Sequence, residues 1–294
     1  MQQKSLSLKL LDTLQQGKKQ LSREAVERIA AFVRSQLTEN GAFMDKNGRD
    51  DLYYTSFGLM LSHVLKLNIN TDHTGQWLGK QDAKLSDLVY YSAYIRCRLL
   101  CKLLKSGKLN FALSHLFKIK QPLPDFTNYP HGDPNSPYSL FLLLSLKEDM
   151  GIMTANHSEM LSPLSSYHAE TGGFGNIKGS TQATTNATVA ALAIKGQLGG
   201  YRIDADVDYL QASQDQSGGF YAGSSTPVPD LLSTATALFL LKYYNVTPRI
   251  NAGNFIDAHW HPSGGFSATL LDESCDVEYT FYGLLALGAI SRQG

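Results

Sequence analysis

The sequence predicts an all-α protein, an α/α toroid of six helical hairpins arranged as inner and outer helix rings. Three observations lead there. The tripeptide Gly-Gly-Phe occurs at 172–174, 218–220 and 264–266, each 46 residues from the next, and self-similarity at such a period marks a repeat architecture. Thr188, Thr234 and Thr280 keep the same 46-residue step, and each opens an apolar run. The phase also extends backwards, because Gly41-Ala42-Phe43 precedes Asp51-Leu-Tyr-Tyr-Thr55-Ser-Phe-Gly-Leu, nearly a copy of Asp276-Val-Glu-Tyr-Thr280-Phe-Tyr-Gly-Leu. Tyr91-Ser92-Ala-Tyr94 and Tyr138-Ser139-Leu-Phe141 fill the interval as two worn copies, which makes six repeats.

Within a repeat the first helix has one apolar stripe. Val26, Ile29, Ala30, Val33 and Leu37 recur at helical spacing behind an N-cap at Ser22. The second helix is apolar nearly all round, as in Leu140 to Leu146 and Thr234 to Leu241, which suits burial on every side. A wet-faced and a buried helix in each unit describe an outer ring around an inner one. Residues 1–20 read as an N-terminal helical extension and residues 21–294 as a single toroid domain.

Composition narrows the function classes. Lys plus Arg equals Asp plus Glu at 26 each, so no basic excess points to nucleic acid or an anionic membrane. Cys97, Cys101 and Cys275 are too few for a disulfide framework. No apolar run approaches the length of a membrane span and the N-terminus lacks a signal-peptide core, so a cytoplasmic location is expected.

Gly-Gly-Phe, an acidic residue about ten positions on, then Thr and an Ala/Leu-rich helix resembles the repeat shared by protein prenyltransferase β subunits and the squalene and terpene cyclases. Gln214-Asp-Gln-Ser-Gly218-Gly-Phe220 is similar to the Gln-xxx-Gly-x-Trp motif of the cyclases, with Phe in place of Trp. The resemblance implies a toroid with a central apolar cavity for isoprenoid chains, and a helical protein partner of the kind that prenyltransferase β subunits work beside.

The catalytic signatures of that family are not reproduced. Where a zinc-dependent transferase has Asp-x-Cys and a later His, this chain has Asp230, Leu232 and Tyr279. Ser224-Ser-Thr-Pro-Val-Pro229 supplies no Arg or Lys for a diphosphate, and of the cyclase Asp-x-Asp-Asp only Asp230 remains. Catalytic zinc is therefore not expected; Asp276 with Glu278 offers hard oxygens better suited to magnesium. Asp204, Asp206 and Asp208 read as charge at a helix N-terminus, and His259, His261 and Cys275 as loop residues.

Stacking the repeats leaves two patterns. Four residues before each anchor stand Asp51, Leu88, Asn135, Thr184, Asp230 and Asp276, mostly helix caps, which in a toroid would ring one mouth beside six positive helix ends. Asp51, Asp230, Asp276 and Glu278 are thus the candidate acids. Flanking the anchors, the pairs Tyr54 and Phe57, Tyr91 and Tyr94, Tyr138 and Phe141, and Tyr279 and Tyr282 lie three apart, on one helix face. They are candidates for an aromatic wall opposite small residues in repeats four and five. The leading reading is an isoprenoid-binding toroid, with transferase or cyclase activity if it is an enzyme. A non-catalytic binding or scaffold subunit and, more weakly, a toroid glycosidase stand as alternatives.

The donor pattern makes a first prediction. Elemental analysis of the purified protein gives well under one zinc per chain, and Asp230→Ala leaves the metal content unchanged; near-stoichiometric zinc lost on that substitution would reverse the reading.

Overall fold

The computed structural model describes residues 4–81, 85–106, 123–152, 154–200 and 204–290. In chain order its twelve described α-helices are α1 (Leu6–Lys19), α2 (Arg23–Ser35), α3 (Leu52–Leu65), α4 (Thr71–Leu78), α5 (Leu88–Ser106) and α6 (Pro137–Met150). They continue with α7 (Ser158–Leu161), α8 (Thr185–Leu198), α9 (Asp204–Ala212), α10 (Leu231–Tyr243), α11 (Gly253–Ala258) and α12 (Val277–Ile290). Two antiparallel strand pairs, β1 (Phe43–Met44) with β2 (Asp50–Asp51) and β3 (Phe266–Ser267) with β4 (Cys275–Asp276), precede α3 and α12.

One local arrangement recurs before the inner helices. The amide of the Phe that ends each glycine tripeptide donates to the anchor Thr: Phe174 to Thr188 at 2.8 Å, Phe220 to Thr234 at 2.8 Å and Phe266 to Thr280 at 3.3 Å. Phe43 does the same to Thr55 at 2.9 Å. Each Thr hydroxyl in turn donates to the carbonyl of the capping residue four positions earlier. The same Phe pairs in a β-bridge with that cap, as Phe43 with Asp51, Phe220 with Asp230 and Phe266 with Asp276. The leading glycine of the tripeptide takes a left-handed backbone, φ +91° at Gly218 and +98° at Gly264, where a side chain would be strained. The four phenylalanines end fully buried, and Phe43 and Phe266 lie directly against Gly58 and Gly283 of the inner helices.

The inner helices close on themselves. α3 packs on α5, α5 on α6, α6 on α8, α8 on α10, α10 on α12, and α12 back on α3. The ring is therefore an α/α toroid, with α2, α4, α7, α9 and α11 outside it. The outer layer closes as well, because Gly264 lies against the backbone of Arg28 in α2, whose guanidinium sits 5.0 Å from the Trp260 ring.

Helix α1, expected only as an extension, has a defined place. It packs on α12, α3 and α6, and its polar contacts fall at the C-terminal ends of the inner helices. The Leu6 amide donates to Glu148 at 2.8 Å, Lys9 donates to Gln197 at 2.6 Å, and Lys18 donates to the Val64 carbonyl at 2.9 Å. Lys9 also stands 3.9 Å from the centre of the Tyr243 ring. Gly17 and Gly288 let α1 and α12 touch at backbone distance; a β-carbon at Gly17 would lie 2.0 Å from the Leu284 carbonyl oxygen. α1 is the floor of the ring.

The structure corrects the register in repeats two and three. The caps there are Asp87, which accepts from the Val89 and Tyr90 amides, and Ser136, which accepts from the Ser139 amide, not Leu88 and Asn135. The anchor position accordingly falls on Tyr91 and Leu140, one residue from the expected Ser92 and one residue beyond the expected Ser139. Asp206 departs from its expected role as exposed helix-end charge. It is fully buried, 2.7 Å from His168 and 3.4 Å from Lys195, and accepts from the Gly173 amide.

The Thr anchor is testable by an isosteric change. Thr234→Val leaves the Phe220 amide buried without an acceptor, so urea unfolding reports a loss of about 1–3 kcal/mol, while Thr234→Ser stays close to wild type.

Candidate functional site

All six inner helices contribute to an axial cavity of about 490 Å³, and Leu6 and Leu10 of α1 close its lower end. On α3 the lining residues are Tyr53, Ser56, Phe57 and Met60, and on α8 Asn186, Val189, Ala190 and Ala193. These are the positions two before, one after, two after and five after the anchor Thr, the face that an inner helix turns to the axis.

The predicted aromatic residues divide accordingly. Phe57, Tyr138, Phe141 and Tyr282 line the cavity. Tyr54 lines a wider vestibule of about 890 Å³ above it. Tyr91 is buried in the seam between α5 and α6 with Leu88, Ile95 and Leu142, its ring 5.5 Å from Phe126. Tyr94 lies beside it under Arg98, and Tyr279 sits 5.1 Å from Lys46. Tyr53 and Phe281, which the columns omitted, complete an aromatic wall: Phe57 is 4.9 Å from Tyr53, 4.9 Å from Phe281 and 5.9 Å from Tyr282. Across the axis stand Ala190, Ala193, Ala222 and Thr236. Tyr53, Val89 and Tyr138 line both spaces and form the neck between them.

The four candidate acids lie at the upper ends of α3, α10 and α12, in different states. Asp51 accepts from the Tyr53 and Tyr54 amides at 2.8 and 3.0 Å. Asp230 uses both oxygens on Ser233, at 2.7 Å from its amide and 2.8 Å from its hydroxyl; burial nonetheless pushes its carboxyl up. Asp276 accepts from the Tyr279 amide at 2.7 Å, and its second oxygen is buried without a hydrogen bond, 3.8 Å from Lys46. Burial pushes it up too. Lys46 is itself 3.0 Å from Asp272, whose carboxyl is held down to about 2, chiefly by the Ser274 hydroxyl.

Glu278 stands apart. It is only 9% exposed, and the Tyr53 hydroxyl donates to it at 2.8 Å. Burial, with the charge of Asp276 adding to it, lifts its carboxyl to about 7 against the opposing bond from Tyr53. A carboxylic acid tuned to neutral pH can give or take a proton at a site that excludes water, and Tyr53 carries the reach of Glu278 to the neck.

At four of the six inner helices the starting amides are engaged by the protein itself. Besides their caps, the Leu88, Thr185 and Leu231 amides donate to carbonyls of the following repeat's loop, at Asn128, Ala222 and Ala268, and the Tyr138 amide donates to the Asn176 side chain. The vestibule is acidic, lined by Asp45, Asp50, Asp51 and Asp87 against Lys46 and Arg49, and both cations are ion-paired. No group of three or more His, Cys, Asp or Glu among the described residues is placed to hold a metal ion. The donors at the transferase positions do not fit zinc, since Leu232 lines the cavity wall and Asp230 is engaged as a cap. Among the described residues no helix is long and apolar enough to cross a membrane.

The family model of the prenyltransferase alpha-alpha toroid domain matches residues 3–84 and 103–294. Among solved structures the chain is similar to Candida albicans protein geranylgeranyltransferase-I complexed with GGPP. The likeness has 15% sequence identity and a TM-score of 0.50, and covers 96% of this chain and 82% of that one; it is a likeness of fold. A comparison with curated proteins gives no match.

The state of Glu278 sets a pH dependence. Its proton is held more tightly in the folded chain than in the unfolded one, so folding gains from it at low pH and loses that gain as pH rises from about 4.5 to about 7. Glu278→Gln should therefore match wild type in urea unfolding at pH 4 and exceed it at pH 8 by up to about 3 kcal/mol; a constant difference across that range would contradict the assignment.

Proposed function

Because this chain belongs to the prenyltransferase alpha-alpha toroid family, we propose that it binds an isoprenoid or a similarly apolar chain along the toroid axis. The observation that carries this reading is the axial cavity itself, about 490 Å³ and walled by aromatic rings on one side and alanines on the other. Small-molecule sites run to about 300–1,000 Å³ and are lined mainly by apolar and aromatic side chains with a few placed polar groups. The end of the chain at the neck meets Tyr53, backed by Glu278, where a proton can be transferred, and the faces of Phe57, Phe281 and Tyr282 suit a developing cation.

The acidic vestibule favours an uncharged ligand over a diphosphate. Lys46 and Arg49 are neutralised by Asp272 and Asp45, and a diphosphate would meet the remaining carboxylates. The use of Asp230 and Asp276 as caps supports a second reading, in which the chain binds without turnover and works beside a helical protein partner. A glycosidase, which needs an open polar groove, finds no support in a lumen lined mainly by apolar side chains.

Equilibrium binding followed by native mass spectrometry separates these readings. Farnesol and geranylgeraniol are expected to bind one per chain, their diphosphates at least about tenfold more weakly, and Ala222→Phe to remove binding by filling the recess. No binding of either pair would reject the lumen as a ligand site. A product formed by wild type and lost in Glu278→Gln would establish turnover; binding without product in both would favour the non-catalytic reading.

A further inference from the structure

The wall of the lumen carries a polar pair that a plain hydrocarbon leaves unused. Ser92 and Arg96 stand one turn apart on α5 and both line the cavity. Ser92 is 3% exposed, and its hydroxyl makes no hydrogen bond in the protein. The Arg96 Nε–H, also buried, is likewise without a hydrogen bond, although its guanidinium is held in place. Nη2 donates to the Ser145 hydroxyl at 3.1 Å and to Asp149 at 3.5 Å, and Asp149 is the ion-pair partner, 3.5 Å from Nε. Arg96 is the one Lys or Arg among the described residues that line this cavity.

A buried hydroxyl without a hydrogen bond is costly, native proteins satisfy most such groups, and the Arg96 Nε–H has only the 3.5 Å ion-pair contact with Asp149 in place of one. Both groups belong to residues one turn apart that line the same space, so that small side-chain rotations would let one ligand oxygen meet the two together. Arg96 lies deeper than Ser92, toward the end closed by α1, since the Asp149 that anchors it follows Glu148, which takes the Leu6 amide of the floor helix. Its charge is already balanced by Asp149, so the site calls for a hydrogen-bond acceptor and not a free anion.

We propose that Ser92 and Arg96 form a polar subsite inside the lumen for a hydroxyl or carbonyl oxygen at the inner end of an apolar chain, so that the ligand enters oxygen first. The inference rests on the lumen being a ligand site and deepens that reading, because it assigns the substrate class as an oxygenated chain and fixes its direction. The hydrocarbon end is then left at the neck, beside Tyr53 and Glu278.

The test compares two probes of one skeleton, farnesol and farnesene, by equilibrium dialysis against wild type, Ser92→Ala and Arg96→Lys. A site built to pair with an oxygen discriminates against the analogue lacking it, so wild type should hold farnesol about tenfold or more tighter than farnesene. Ser92→Ala removes a group that has no partner in the ligand-free protein. It should leave the melting temperature unchanged or raised, leave farnesene binding as it was, and weaken farnesol about three- to tenfold. Arg96→Lys keeps a positive charge beside Asp149 but removes Nε, and should narrow the preference in the same way. Equal affinity of wild type for the two probes, or a preference that survives both substitutions, would overturn the proposal while leaving the lumen reading intact. Binding of neither probe would overturn both.

Discussion

The hydrogen bond from the phenylalanine amide to the anchor threonine fixes where four of the six inner helices start. It ties the loop to the helix from inside, because the same Thr hydroxyl that accepts from Phe220 donates to the Asp230 carbonyl. With the cap, the strand pair and the buried ring all referred to one oxygen, an inner helix has little freedom to slide along its axis or rotate about it. Each of the six helices then presents three or all four of the same positions to the lumen, which is why the cavity has a continuous wall. In the two repeats without a Phe–Thr bond, Asp87 and Ser136 still set the helix start through their amide bonds. The neighbouring loops supply further stitching there.

Charge is distributed along the axis in a way that bears on chemistry. Carboxylates gather at the wide end, most of them committed to amides or cations, and Glu278 differs from the rest in being tied to a phenol at the neck. Helix N-termini are ordinarily attractive to anions, but at α5, α6, α8 and α10 the starting amides are taken up by caps and by the following loop. The polarity of the deep wall comes instead from Ser92 and Arg96, on the opposite side of the neck from the acids. An apolar chain lying between these two ends would meet a different polar environment at each.

The period, the two kinds of helix and the ring were legible in the sequence because the 46-residue step of Gly-Gly-Phe and Thr is carried by backbone geometry, which tolerates few substitutes. Of the eight aromatic residues singled out in the sequence, four, Phe57, Tyr138, Phe141 and Tyr282, line the cavity. The rest depended on which residue caps a helix. Ser92 and Ser139 resemble the threonine anchors in size and hydroxyl, yet the helix begins one residue away from where they would place it. A shift of one residue turns a helix by about 100°; it carried Tyr91 and Tyr94 from the expected wall into the seam with α6. Arg96 was unreadable because, with Arg98, Lys102 and Lys105 following on the same helix, it looks like part of a wet face, and only its contacts with Ser145 and Asp149 on the neighbouring helix show that it turns inward.

The position of α1 has a consequence for the order in which the molecule is made. α1 ends at Lys19, while α12, the helix it touches at backbone distance, begins at Val277. At about 5–20 residues per second the ribosome delivers the first of these tens of seconds before the second. Through that interval Leu6, Leu11 and Leu14, buried in the finished protein, have no completed surface to bury against. The ring cannot close until the last repeat emerges, and contacts of such long sequence separation form slowly. The floor can meet α3 and α6 early, but its seal against α12 is made only at the end of folding.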